Sequence, residues 1–295
     1  MPFLFGLSFV ATKYALRGFE PLQLALLRFS AAGAILYTIW RWRGSEGGAR
    51  PGDRRRIAGL GFVSLTVYFS LEITGIARTS ASSAAILIAA IPIFVSLLNV
   101  ALRRERNTTL EWTGICLSFA GVVALTGLGR GGEGGATLVG NVLVLGAALA
   151  AAIYQIMARD LLRERPALYV TTWQNLFGAL FMVPLVAVEA AVVGVKTPTA
   201  TASTALVYLI LGCSVSAYLL VNYGLSHVPA NKVSTFANLV PVVAVSAAYL
   251  VLGERLTAAQ FAAGVVVIAG VWLTNRRRPS ETTAAGGRIA PAHLD

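Results

Sequence analysis

Charge is scarce in this chain. Asp, Glu, Lys and Arg make up 13% of its 295 residues, about half the roughly 25% found in soluble domains. So little charge cannot clothe a globular surface of this size, which excludes water as the solvent for most of the chain. Cysteine is close to absent: Cys116 and Cys213 each stand inside an apolar run. Two thiols make neither a disulfide framework nor a zinc site, and both read as small buried apolar side chains. Histidine is equally rare, and His227 and His293 lie far apart. A metal centre or a Ser-His-Asp triad is hard to assemble from these residues. No cofactor is expected, and a membrane-embedded enzyme has no motif to stand on. The start of the chain lacks the basic segment that opens a secretory signal. It reads as a first membrane helix that is short for a span, so residues before Met1 are expected.

Apolar residues fill the gap. The hydrophobic set reaches 56%, and mean hydropathy is +0.72. Charges and turn residues divide the chain into candidate spans at residues 2–16, 21–40, 57–77, 81–102, 110–127, 138–158, 168–194, 203–226, 231–252 and 257–275. Most approach the roughly 20 residues a helix needs to cross hydrocarbon. Each must be helical, because backbone polar groups find no water there and no barrel-type alternation is visible. The net charge of +11 does not signal nucleic acid, since the basic residues form no single patch. They sit in short loops instead: Arg41, Arg43, Arg50 and Arg54 to Arg56; then Arg103, Arg104 and Arg106; then Arg159, Arg163 and Arg165; then Arg276 to Arg278 and Arg288. The intervening loops hold only Arg17, Arg78, Arg130, Lys196 and Arg255. The positive-inside rule places both termini in the cytoplasm, on a bacterial inner membrane. The tail 276–295 is polar and aperiodic and is expected to be disordered.

Residues 68–126 align without gaps onto residues 217–275. Gly75 pairs with Gly224, Pro92 with Pro241, and Gly121 with Gly270. Glu105-Arg106-Asn107-Thr108 pairs with Glu254-Arg255-Leu256-Thr257. Five spans separate equivalent points, an odd number, so the two halves (1–127 and 138–275) are predicted to thread the bilayer in opposite directions. Inverted halves of this kind are common in secondary transporters.

On these residues the chain resembles the drug/metabolite transporter superfamily, and within it the ten-helix EamA type. The resemblance is carried by Phe5-Gly6-Leu7-Ser8-Phe9-Val10-Ala11-Thr12-Lys13, by Leu27-Arg28-Phe29, and by Ser80-Ala81-Ser82-Ser83-Ala84-Ala85 leading to Pro92. It continues through Pro241 and Leu252-Gly253-Glu254-Arg255-Leu256-Thr257. Phe5 departs from the usual Trp, and Arg103-Arg104-Glu105-Arg106 from the usual Leu-Gly-Glu-Arg. The resemblance implies an all-α integral membrane fold of ten transmembrane helices in two inverted five-helix repeats. It also implies a secondary transporter exporting small metabolites, with the aromatic amino-acid exporters of the family as the nearest analogy. A proton-coupled drug or polyamine exporter of the same fold is the alternative.

An ionisable side chain inside a span costs about 2.5–3.5 kcal/mol on insertion scales, so it should face a cavity or a partner. Lys13, Arg28 and Glu72 are the candidates, and Glu72 is the one acid well within a span. Their depths are similar enough for Glu72 to pair with Lys13 or Arg28. Uncharged polar residues fall on helix faces at Asn231, Thr235 and Asn238, at Tyr218 and Asn222, and at Tyr68 beside Glu72. Tyr154 with Gln155, and Trp173, Gln174 and Asn175, complete the set. With Tyr14, Phe69 and the other rings they predict one central cavity for amino acids or related metabolites, bounded otherwise by membrane lipids. Pro92 and Pro241 each remove a helical hydrogen bond. With Gly75 and Gly224 they are the expected hinges of two gating hairpins, at 77–81 and 226–231.

Overall fold

The computed structural model describes residues 2–45, 52–102, 107–128, 138–227 and 239–274; for 126–128, 160, 222 and 224–227 it describes the backbone alone. All regular structure among the described residues is helical. The helices are α1, Pro2–Ala15; α2, Pro21–Trp42; α3, Asp53–Arg78; α4, Ala81–Ala101; and α5, Thr109–Leu128. They continue as α6, Leu138–Glu164; α7, Ala167–Val193; α8, Ala200–Val221, which runs on to His227; α9, Val240–Leu252; and α10, Ala258–Thr274. Six of these, α2, α3, α4, α6, α7 and α8, are long and apolar enough to cross a membrane; α5 over Thr109–Leu125, α9 and α10 are shorter apolar helices, and α1 has 14 residues.

The bundle is turned inside out relative to a soluble protein. Val188, Val192, Leu250 and Phe261 stand mostly exposed, while Arg28, Glu72, Asn141 and Gln174 are buried. Lipid is the solvent that suits such a surface. Several helices outrun their apolar segments: α3 begins at Asp53 rather than 57, and α6 ends at Glu164 rather than 158. The extra turns carry Arg54 to Arg56 and Arg159 to Glu164. Charges end an apolar run without ending a helix, because long side chains reach out to the headgroups from helical backbone.

Small residues set the closest approach. α5 and α10 run antiparallel, and a Cβ added at Gly270 would lie 2.5 Å from the Ser118 backbone nitrogen and 2.6 Å from the Gly114 carbonyl. One at Gly121 would meet Val267 and the Ala263 carbonyl at 2.8 and 2.9 Å. Gly121 and Gly270, and Ser118 and Val267, are partners in the sequence repeat, so each contact recurs with the halves exchanged. The loops before these helices match as well. Thr108 and Glu111 close a reciprocal capping box, N–H to carboxylate at 2.6 Å and N–H to hydroxyl at 3.3 Å. Thr257 and Gln260 close the same box at 3.0 and 3.2 Å, and so give the Thr of the E-R-x-T motif its role.

Two further pairs fall at equivalent places. π-helical stretches occupy Phe62–Val67 in α3 and Leu209–Ala217 in α8. Pro92 and Pro241 each sit in the first turn of a helical segment, Ile91–Ala101 and Val240–Ala247. In α4 the helix breaks into a turn at Ala89–Ala90 just before that segment, where a proline cannot continue the ladder. Gly75 lies in unbroken helix, its missing Cβ 2.7 Å from Val144 and 3.0 Å from the Gly140 carbonyl; it lets α3 and α6 touch. Pro184 sits inside α7, where it removes one helical hydrogen bond.

Candidate functional site

Opposite ends of the bundle are pinned by carboxylates. At one end Glu254, in the turn after α9, accepts hydrogen bonds from the Ala81 and Ser82 backbone N–H groups at 2.9 and 3.0 Å and from the Ser82 hydroxyl at 2.9 Å. The α4 N-terminus offers those N–H groups unpaired, and its dipole favours the negative charge. Lys13 lies within electrostatic range of Glu254, and the Tyr14 hydroxyl donates to the Val251 carbonyl at 3.4 Å with Arg17 over its ring. At the same end Glu189 binds the Leu22 and Gln23 N–H groups. Glu20 pairs with Lys196 at 3.0 Å. At the opposite end Arg165 and Asp53, both buried, meet at 2.5 Å.

Between the two ends, α2, α3 and α8 enclose a polar cluster. Arg28 Nε donates to the Ser214 hydroxyl at 2.7 Å, and its guanidinium carbon lies 4.9 Å from the Phe69 ring and 5.1 Å from that of Phe29. The Tyr68 hydroxyl donates to Glu72 Oε1 at 2.7 Å. Tyr218 faces both Phe69, at 6.5 Å, and Phe5, at 6.2 Å. Ser214 and Tyr68 stand in or beside the π-helical stretches of α8 and α3. Wider turns of this kind re-aim side chains and recur at functional sites. A second polar chain lies beside it: Tyr154 to Gln174 at 3.4 Å, and Gln174 to Ser64 at 2.8 Å.

The structure thus brings together Arg28, Tyr68, Phe69, Glu72 and Tyr218, with Tyr154 adjoining. It adds Ser214, for which a lone serine in an apolar run gives no periodic signal. Lys13 and Tyr14 belong to the Glu254 end. Trp173 joins a ring cluster with Tyr37, Trp40 and Phe177. Asn175 bonds back to the Thr171 carbonyl at 2.8 Å within α7, its side chain against Gly33. Gln155 is exposed on the stripe that otherwise buries Ala148, Ala151, Ala152 and Ala158. The side chain of Asn222, the surroundings of Gly224, and Asn231, Thr235 and Asn238 lie outside the described residues. An apolar groove of about 460 Å³ lies elsewhere among the described residues, lined by Phe62, Thr66, Ser70, Phe181 and Pro184.

The EamA-like transporter family model matches residues 1–127 and again residues 138–276. The chain belongs to that family. An uncharacterized transporter of Archaeoglobus fulgidus is 27% identical over 92% of this chain and 93% of its own. The uncharacterized transporter YetK of Bacillus subtilis is 28% identical over 76% and 69%. A probable terminal-alkyne amino-acid exporter of Streptantibioticus cattleyicolor is 30% identical over 95% of this chain and 94% of its own. A solved crystal structure shares the fold with a TM-score of 0.66, covering 92% of both chains at 18% identity. This EamA chain is therefore a multi-pass membrane transporter for small molecules, and not an enzyme.

Proposed function

We propose that this EamA transporter exports amino acids or closely related metabolites across a bacterial inner membrane, by alternating access between two inverted five-helix repeats. The observation that carries the reading is the Arg28, Ser214, Tyr68 and Glu72 cluster, buried inside a lipid-clad bundle where a charge needs a purpose. The amino-acid exporter named among its relatives supports the substrate class. Two family matches, and capping boxes, prolines, π stretches and α5–α10 contacts that recur at equivalent places, support the duplication.

In this reading the Asp53 end faces the cytoplasm with both termini, and the Glu254 end faces outward. The α3–α4 hairpin closes the outer side while clasped by Glu254, and the connection expected at 226–231, most of it outside the described residues, closes the inner side. Pro92 and Pro241 are the points at which they bend. The test is counterflow of a panel of labelled amino acids into liposomes holding the purified protein. Saturable uptake of some members supports the reading, and uptake of none, beside a working metabolite control, ends it. Proton-coupled export of drugs or polyamines is the second reading, favoured by Glu72 as a carboxylate inside the bundle. Glu72→Gln should then abolish transport driven by a pH gradient while counterflow persists.

A further inference from the structure

Arg28 is 3% exposed and Glu72 7%, and each retains unused hydrogen-bonding capacity. A guanidinium carries five N–H donors. Arg28 spends only Nε, on Ser214, and its Nη1/Nη2 edge meets no acceptor among the described residues. Glu72 spends one oxygen on Tyr68. The two charges are close enough to act on each other. Yet they form no ion pair, although the chain makes ion pairs elsewhere at 2.5 to 3.1 Å. For a purely structural pair this is a poor arrangement. Opposite charges held apart in a low dielectric forgo the attraction that would offset their desolvation. Aromatic faces flank the cluster: Phe29 and Phe69 pack on the guanidinium, with Tyr218 and Phe5 beyond.

We infer that Arg28 and Glu72 are the two poles of a receptor for a zwitterion: the free edge of Arg28 takes the substrate's α-carboxylate, Glu72 with Tyr68 takes its α-ammonium, and the Phe5, Phe29, Phe69 and Tyr218 rings take an apolar side chain. This rests on the export reading and narrows it to amino acids with both α-groups unmodified. A planar fork suits a carboxylate's two oxygens, which a lysine cannot match. The open oxygen of Glu72 suits a three-donor ammonium. Neither an amine without the carboxylate nor an N-acylated acid satisfies both poles.

The experiment is liposome counterflow with labelled L-phenylalanine and L-leucine, each competed by phenethylamine and by the N-acetyl amino acid. The wild type should favour the free amino acid over either competitor by roughly tenfold or more, as hydrogen bonds to charged groups require. Glu72→Gln should lose the preference over the N-acetyl compound while keeping that over the amine. Arg28→Gln should do the reverse, and Arg28→Lys should fall between, which keeps the test open if Arg28→Gln does not fold. Variants that retain the wild-type order of preference overturn the assignment of poles alone. Wild-type counterflow of neither amino acid, with another metabolite moving, overturns the export reading beneath it.

Discussion

Arg165 and Asp53 show what a buried charge demands in this bundle. They meet at 2.5 Å with side chains 7% and 8% exposed, so each is the other's answer to desolvation. Arg165→Leu should lower stability by about 3–5 kcal/mol, because a buried carboxylate loses its cation. The double variant Arg165→Leu, Asp53→Leu should recover much of that. Thermal melting in detergent checks both, and a single variant as stable as wild type refutes the account. Arg28 and Glu72 were legible in the sequence for the same reason: charges are rare inside apolar runs. Ser214, which holds Arg28, was not, since a serine on a lipid-embedded helix looks the same whether it packs or bonds. Trp173 shows the opposite difficulty. An amphipathic ring near a helix end suits a cavity wall and an interfacial belt equally, and only its contacts with Tyr37 and Trp40 place it among the rings.

Helices were the most legible level, because hydrocarbon leaves the backbone one choice. Their ends were less so, as the charged first turns of α3 and last turns of α6 demonstrate. The π-helical stretches left no trace in the sequence, since a widened turn answers packing against neighbours rather than local propensity. The E-R-x-T motif was visible but mute until its threonine proved to be a cap. Thr257→Val should cost about 1 kcal/mol through the lost cap, and Thr108→Val the same; a melting shift of a few degrees in both, or its absence, decides this. Glu254 makes a stronger claim, since its three hydrogen bonds join the α9–α10 turn to α4. Glu254→Gln retains size but removes the charge from a helix N-terminus. A cysteine placed at Ala84, buried one turn into α4, should then react with an external maleimide about tenfold faster, the scale of one charge-assisted hydrogen bond. An unchanged rate means that Glu254 does not hold the hairpin shut.

At the scale of the whole molecule the proposal of two oppositely threaded halves makes a demand that neither half makes alone. Contacts on a two-fold axis must come in equivalent pairs, as in any isologous interface. Gly121 against Val267 and Gly270 against Ser118 are such a pair, both too close for a Cβ. Gly121→Leu and Gly270→Leu should therefore destabilise to similar degrees, by about 1–3 kcal/mol each from overpacking. Combined, they should cost less than their sum, because the first pushes apart the helices that the second would have crowded. Direction is tested separately. The Asp53–Arg165 bond already holds the start of α3 and the α6–α7 turn at one end of the bundle. Single cysteines at Arg54 and Arg163 should thus react with an impermeant reagent from the same side, and cysteines at Arg78 and Arg255 from the other. Should the 78 and 255 positions fall on different sides, the α3–α4 hairpin and the α9–α10 turn cannot share the outer face. The Glu254 clasp, the inverted halves and the alternating gates would then fall together.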